Sequence, residues 1–362
     1  MMRYVARTVS VVLLVSLGFG HEVQISSKIL PHPVYQNGNM VYIDTAGKVV
    51  ITTRYTWGLN FSEGLAGYKD KDKFGFIDET GKEAIKAAFD GVESFSEGLA
   101  AIEINDKWGF IDKAGRTIIK PQFNSVHAFS EGLALVGMYV GDYSDGDDIY
   151  KWGYIDKTGK MVIGKTRKPV VIRSRIFSSP KFDEAEDFSE GLACVRVGSR
   201  WGYVNKQGQF VIHLQFQGAK SFSDGLAPVT YDGVKWGYID RSGKMIVQPQ
   251  FADAESFSEG LAAIAVYRSG DTKAWGYIDR NGTIIVEPRF HGVEPFSEGL
   301  AAIFEPKRGG FGFIDGSGKE VIEPQFDGVG LFVGGLVWVS IPGAGGGYID
   351  RTGRYIWKPE KR

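Results

Sequence analysis

Two short runs of aromatic and β-branched residues flank a polar turn in Lys151-Trp152-Gly153-Tyr154-Ile155-Asp156-Lys157-Thr158-Gly159-Lys160-Met161-Val162-Ile163. In an extended chain, Trp152 and Tyr154 fall on one face of the first run, and Gly153 and Ile155 on the other. Both faces carry apolar material, which predicts a strand covered on both sides rather than a sheet with one wet face. Asp156 suits the first position of a type I turn and Gly159 the fourth, where glycine takes positive φ without cost. The pattern therefore predicts a β-hairpin. The same turn frame returns at Asp78…Gly81, Asp112…Gly115, Asp240…Gly243, Asp279…Gly282 and Asp315…Gly318.

The hairpin recurs along the chain. Its tryptophan position holds Phe74, Trp108, Trp152, Trp201, Trp236, Trp275 and Phe311, with degenerate copies at Met40 and Gly346. A second block, Phe-Ser-Glu-Gly-Leu-Ala, follows each hairpin, its glycine at Gly64, Gly98, Gly132, Gly191, Gly225, Gly260 and Gly299, with a worn copy at Gly335. From the tryptophan position to the next block glycine the interval is 24 residues in seven of eight cases, whereas from that glycine to the next hairpin it ranges from 10 to 20. Constant spacing marks residues fixed by packing, and variable spacing marks surface loops that accept insertions. Trp108, Trp152, Trp201, Trp236 and Trp275, with Gly98, Gly132, Gly191, Gly260 and Gly299, are accordingly read as structural repeat positions.

No stretch after the first twenty residues keeps a helical period, so the fold class is all-β: about eight tandem units of ~35 residues, each a β-meander. Such units bury their faces on one another either as an open, solenoid-like superhelical stack or as a closed β-propeller. A ~35-residue unit is short for a propeller blade, and the worn ends at Met40-Val41 and Gly346-Gly347 read as caps. Both points favour the open stack. In such a quasi-linear array, loss of one buried tryptophan loosens one region and leaves the rest folded. The organisation is a signal segment over 1–20, a lead-in over 21–39, the array over 40–357 and a tail over 358–362.

At this point the residues resemble a known family. Lys-Trp-Gly-Tyr-Ile-Asp-Lys-x-Gly-Lys and Phe-Ser-Glu-Gly-Leu-Ala are similar to the units of WG-repeat (KWG-repeat) proteins, over roughly 40–357. The resemblance implies a bacterial β-repeat protein and supplies no catalytic residue or cofactor. The chain departs from the pattern at Phe74 and Phe311 for Trp, Asn205 for the turn Asp, and Asp224 for the block Glu.

The N-terminus changes the picture of location. Arg3 and Arg7 precede an apolar run from Val9 to Leu17, then Gly18-Phe19-Gly20 forms a small-x-small pattern, the layout of a secretory signal cleaved near Gly20. The alternative is an uncleaved anchor, but the run is shorter than the ~20 residues a spanning helix needs. The expectation is export to the periplasm, the cell surface or the medium, with no transmembrane helix once the signal is removed. A formal net charge of −1 gives no drive toward nucleic acid. A single cysteine, Cys194, excludes an internal disulfide, so stability must come from packing.

Candidate chemistry is sparse. Glu63, Glu97, Glu131, Glu190, Asp224, Glu259 and Glu298 recur once per unit and would align on stacking, a row able to attract Ca²⁺ or a cationic ligand. No DxDxDG-type loop accompanies them, so acceptance of backbone hydrogen bonds beside the glycine is the favoured reading. The five histidines occupy unrelated positions, and HExxH, CxxC and Gly-x-Ser-x-Gly are absent. No catalytic, metal or cofactor site is expected.

One unit is singular. The loop after Gly132 is lengthened by ten residues and carries Asp142, Asp145, Asp147 and Asp148; after Ile163, 15 extra residues carry Lys165, Arg167, Lys168, Arg173 and Arg175. These are either solvated decoration or a partner-binding patch on a regular scaffold. The expected function is non-catalytic binding or scaffolding, with a protein or a cell-envelope glycan as partner. Exposed tryptophans would favour the glycan and buried ones a protein. The alternatives are a purely structural surface spacer and, less favoured, an envelope enzyme.

Overall fold

Each hairpin is the centre of a small antiparallel sheet. In a computed structural model that describes residues 31–142, 148–165, 170–172, 175–177, 181–268 and 272–358, the sheet around Trp108 has four strands in sequence order: Gly91–Val92, Leu99–Ile104, Lys107–Asp112 and Thr117–Phe123. The Trp-Gly-Tyr-Ile run is the third strand and is buried on both faces as expected, with Phe110 and Ile111 fully buried. The fourth strand alternates buried Ile119 and Phe123 with exposed Ile118, Lys120 and Gln122. Its register shifts against the third strand between Ile119 and Phe123. The glycine after tryptophan makes that shift possible. A β-carbon on Gly109 would meet the Pro121 nitrogen at 2.6 Å, and Gly237 and Gly276 face Pro249 and Pro288 in the same way. The close approach at this glycine occurs inside one sheet, not between neighbours.

Nine such sheets follow one another, so both degenerate copies build a full hairpin. We number them as blades 1–9: 32–52, 65–89, 91–123, 125–182, 184–216, 218–251, 253–290, 292–326 and 328–357. The first begins at His32, inside the lead-in, and has three strands: His32–Gln36, Asn39–Ile43 and Val49–Thr52.

The blades close into a ring. Each neighbouring pair shares one apolar cluster, and a ninth cluster joins Leu336 and Tyr348 of blade 9 to Val34, Val41 and Ile43 of blade 1. An open stack of nine has eight interfaces; this molecule has nine. The turn glycine of each blade repeats the evidence. Gly81 sits on Ile51 of the preceding blade, Gly115 on Ile85, Gly353 on Ile322, and Gly47 of blade 1 on Ile356 of blade 9. The architecture is therefore the closed β-propeller, and the open superhelical stack is corrected. The worn ends that suggested caps are instead the two halves of a seam. Their divergence reflects the one interface whose partners lie at opposite ends of the chain.

An aromatic pair marks every interface. The residue two after the tryptophan position packs on the block phenylalanine of the next blade: Phe76 on Phe95, Phe110 on Phe129, and Tyr277 on Phe296, with centroids 4.8–4.9 Å apart. In blades 1 and 4–7, where that residue is tyrosine, its hydroxyl also crosses the interface. Tyr203 donates to the Lys220 carbonyl, Tyr238 to that of Glu255 and Tyr277 to that of Glu294. At the seam the pair is Tyr348 with His32, 5.2 Å apart.

Candidate functional site

Antiparallel order puts the block loop and the Asp-x-x-Gly turn at one end of each blade, and the hairpin between second and third strands at the other. All nine blades point the same way, because block loops and turns of successive blades touch. Lys113 in the turn of blade 3 reaches Glu63 in the block of blade 2 at 3.0 Å, and Lys206 reaches Glu131 at 2.9 Å. The ring therefore has a turn face and a hairpin face.

The turn face repeats one hydrogen-bonding scheme from blade 2 to blade 9. Each block carboxylate accepts the backbone N–H of the block glycine in the following blade: Glu63 from Gly98, Glu97 from Gly132, Glu131 from Gly191, Glu190 from Gly225 and Asp224 from Gly260. Glu259 and Glu298 each take two N–H groups, from Glu298 and Gly299 and from Gly334 and Gly335. The block serines add a second tie, as Ser96 Oγ donates to the Phe129 carbonyl at 2.7 Å. The favoured reading of these acids holds in kind, but the hydrogen bond runs between blades instead of within one connection. Glycine is needed there: Gly98, Gly132, Gly191, Gly260 and Gly299 have φ between +77° and +87°, a region costly to other residues. Among the described residues no three His, Cys, Asp or Glu side chains converge as a metal site would require.

The hairpin face is where the blades differ. Here the connection is Asn105-Asp106 in blade 3, the run 231–235 in blade 6 and a 3-10 turn at Pro306–Arg308 in blade 8. Large apolar side chains stand exposed at these ends: Tyr35, Ile104, Tyr231, Val234 and Tyr267, the last two more than half exposed. Blade 4 extends furthest, with Tyr139 and Tyr150 edge to face at 6.1 Å and pairing continued to Asp142↔Asp148. The tyrosines were not singled out from sequence. Their signal was present for Tyr139, Tyr150, Tyr231 and Tyr267, which lie in the interval whose length varies.

A family described as "WG containing repeat" matches nine segments, 42–74, 74–108, 108–138, 152–165, 175–201, 201–234, 236–266, 275–305 and 311–341, well over half of the chain. The chain belongs to the WG-repeat family. No curated protein matches it. Among solved structures, the WG-repeat ring is similar to one titled a eukaryotic initiation factor, with TM-score 0.52 and 14% identity over 82% of this chain and 88% of that one. It also matches BamB from Moraxella catarrhalis, with TM-score 0.42 and 9% identity over 89% and 91%, and the WD40 β-propeller domain of Doa1, with TM-score 0.31 and 12% identity over 76% and 90%. At these identities the likeness concerns the fold alone.

In this WG-repeat protein the name-giving tryptophans lie at the margin of the apolar clusters. Trp108, Trp152, Trp201, Trp236 and Trp275 are half-buried. Trp201, Trp236 and Trp275 pair with Phe216, Phe251 and Phe290 of the fourth strand. Their remaining surface is partly occupied: Lys220 lies 5.3 Å over Trp236, Arg196 6.0 Å over Trp201, and His127 meets Trp152 edge-on. His127 in turn contacts Asp187 of blade 5 at 3.0 Å. Cys194 is fully buried, and burial raises its thiol pKa well above the ordinary value, which keeps it unreactive.

The second insertion is a true interruption of a strand. Blade 4 pauses after Ile163 and resumes at Phe182, which exchanges both backbone hydrogen bonds with Trp152, as the equivalent phenylalanines face Trp108 and Trp201 elsewhere. Between them, Val170–Ile172 and Arg175–Phe177 pair with each other and, among the described residues, with no other strand. Lys165 is exposed at the exit. Asp142 and Asp148 end the long hairpin and Arg175 opens a strand of the short one, whereas Asp145, Asp147, Arg167, Lys168 and Arg173 lie outside the described residues. The two insertions leave blade 4 at different places, one from the hairpin end and one from the fourth strand.

Proposed function

We propose that this WG-repeat propeller is a non-catalytic, exported binding protein whose hairpin face contacts a protein partner. The observation that carries the reading is the division of the ring. From blade 2 to blade 9 the turn face consumes its block acids in blade-to-blade hydrogen bonds; the other face collects the hairpin connections, which vary in length, together with exposed tyrosines. Tyrosine offers large contact area at low entropic cost and is enriched at protein interfaces. The half-burial of the repeat tryptophans, two of them (Trp201 and Trp236) with a cation over the ring, supports a protein over a glycan, which would need free flat rings. The long hairpin of blade 4, ending at Asp142 and Asp148, is the specificity element of this surface, and the insertion with Lys165 and Arg175, which leaves from the fourth strand, adds a second charged segment to the same blade. Export rests on the Arg3–Gly20 pattern, which lies outside the described residues. No helix of the described residues is long and apolar enough to cross a membrane.

A photo-crosslinking residue at position 267 on the hairpin face, and another at Lys244 on the turn face, tests this in cells. Protein adducts are expected from position 267 alone. Adducts from Lys244 alone, or from neither site, would overturn the assignment, and the second result would favour the spacer reading.

A further inference from the structure

Among the described residues, blade 1 lacks a part that every other blade has. In blades 3–9 a short first strand pairs with the second, and in blade 2 residues 57–59 do so through the bridge Gly58↔Tyr68. In each, a first-strand N–H donates to the carbonyl of the third residue after the block glycine: Glu93 to Ala101, Lys220 to Pro228, and Leu59 to Gly67. The matching carbonyl in blade 1 belongs to Pro33, which faces Tyr42 as Ala101 faces Phe110. It receives no such donor among the described residues. A proline costs nothing at this position, because Pro228 accepts its first-strand hydrogen bond in an otherwise complete blade. His32–Gln36 is therefore an open sheet edge of the kind that recruits another strand.

Three side chains around this edge are short of partners. The Nε2 atom of His32, in a residue only 6% exposed, is buried with no hydrogen-bond partner among the described residues. Tyr348 occupies the position from which Tyr42, Tyr154, Tyr203, Tyr238 and Tyr277 donate to a carbonyl of the next blade, and it has no acceptor among the described residues. Trp338 stands 43% exposed at the position that holds buried Ala101 and Ala263 in other blades, its ring laid over Gly346. The acid tie is missing here as well, since Gly334 replaces the block carboxylate.

We propose that the chain's own residues 21–30 dock along the open edge of His32–Gln36 and complete the seam between blades 9 and 1. The first strand and block loop of a complete blade occupy eight residues, Gly91 to Gly98. Residues 21–30 number ten and lead directly into Pro31, so the occupant is covalently placed at the notch. Tethering at this length gives a high effective concentration that a free peptide would have to match. Val23 and Ile25 have the β-branched character a strand needs. A strand here would bring backbone carbonyls toward Tyr348, cover Trp338 and supply a donor for Pro33.

The test uses the full chain with p-benzoylphenylalanine in place of Trp338. Irradiation is expected to give an adduct within one chain that maps to residues 21–30 and is independent of protein concentration. Adducts between two copies, adducts elsewhere in the chain, or none would overturn the proposal. In parallel, the Val23→Pro, Ile25→Pro double variant removes two backbone donors without touching the ring. It should raise amide exchange in Val34–Gln36 at least tenfold and increase acrylamide quenching of Trp338, read as the difference from Trp338→Phe. Unchanged exchange and quenching in that variant would equally end the idea.

Discussion

The carboxylate of Glu97 accepts the backbone N–H of Gly132 at 2.9 Å, and the two residues belong to successive blades. The relationship is repeated from Glu63 to Glu298, so each block acid is at once part of its own loop and a tie to the next blade. Lysines in the turns, Lys113, Lys157 and Lys206, reach the same acids from above.

The tie should be measurable at Glu131, the least exposed of these salt-bridged carboxylates. Glu131→Ala leaves the Gly191 N–H without its acceptor and is expected to lower stability by about 1–2 kcal/mol, the scale of a charge-assisted hydrogen bond partly open to solvent. Glu131→Asp should retain part of the loss, since Asp224 makes the equivalent bond to Gly260 at 2.8 Å. Urea unfolding of the three proteins checks the order. Equal stability in wild type and Glu131→Ala would show the tie to be ornamental.

Much of this was legible in the residues. The hairpin, its Asp-x-x-Gly turn and the structural role of the block acids follow from local chemistry. Sheets buried on both faces follow from Trp-Gly-Tyr-Ile. Ring closure was not legible, because it depends on how Tyr348 meets His32 and how Gly47 meets Ile356, contacts that span nearly the whole sequence and use divergent residues. The block acid reads the same in an open stack and in a ring. The hairpin face was half legible: the variable interval marked it, but nothing in the residues showed that these intervals share one side.

The interfacial tyrosines make an alkaline prediction. Burial pushes the phenols of Tyr154, Tyr203 and Tyr238 well above the ordinary value of 10.0, and nearby acidic groups (Asp187, Cys194 and Glu255) add to the effect. The unfolded chain ionises near 10, while the folded chain resists. The stabilisation is therefore complete below pH 10 and is lost as pH rises above it. Absorbance at 295 nm should show these phenols titrating only together with loss of the β-sheet circular dichroism signal. Tyr238→Phe should cost about 1 kcal/mol at neutral pH, for one hydrogen bond to the Glu255 carbonyl, and should soften the alkaline limb. Phe76, Phe110 and Phe313 show that the fold accepts phenylalanine at that position. Ionisation of the buried tyrosines near pH 10 in a still-folded protein would contradict this account.

Closure also changes what loss of a tryptophan should do. Trp236 is half-buried between blades 6 and 7, faces Phe251 across the sheet and sits over Gly218 with Lys220 above its ring. Because it keeps contact with solvent, Trp236→Ala should cost about 2–3 kcal/mol, below the 3–5 kcal/mol of a fully buried residue. In an open array that loss would loosen blades 6 and 7 and leave the rest, since each unit contacts only its neighbours. In a ring, a weakened interface cannot splay until a second one opens, because both blades remain held from the other side. The destabilisation is therefore shared around the circuit. Thermal unfolding of Trp236→Ala should remain a single transition at lower temperature, coincident in near- and far-ultraviolet circular dichroism. Native-state hydrogen exchange should rise in blade 2 as well as in blade 6. An increase confined to blades 6 and 7, with blade 2 unchanged, would mean that the seam joining Tyr348 to His32 does not hold in solution.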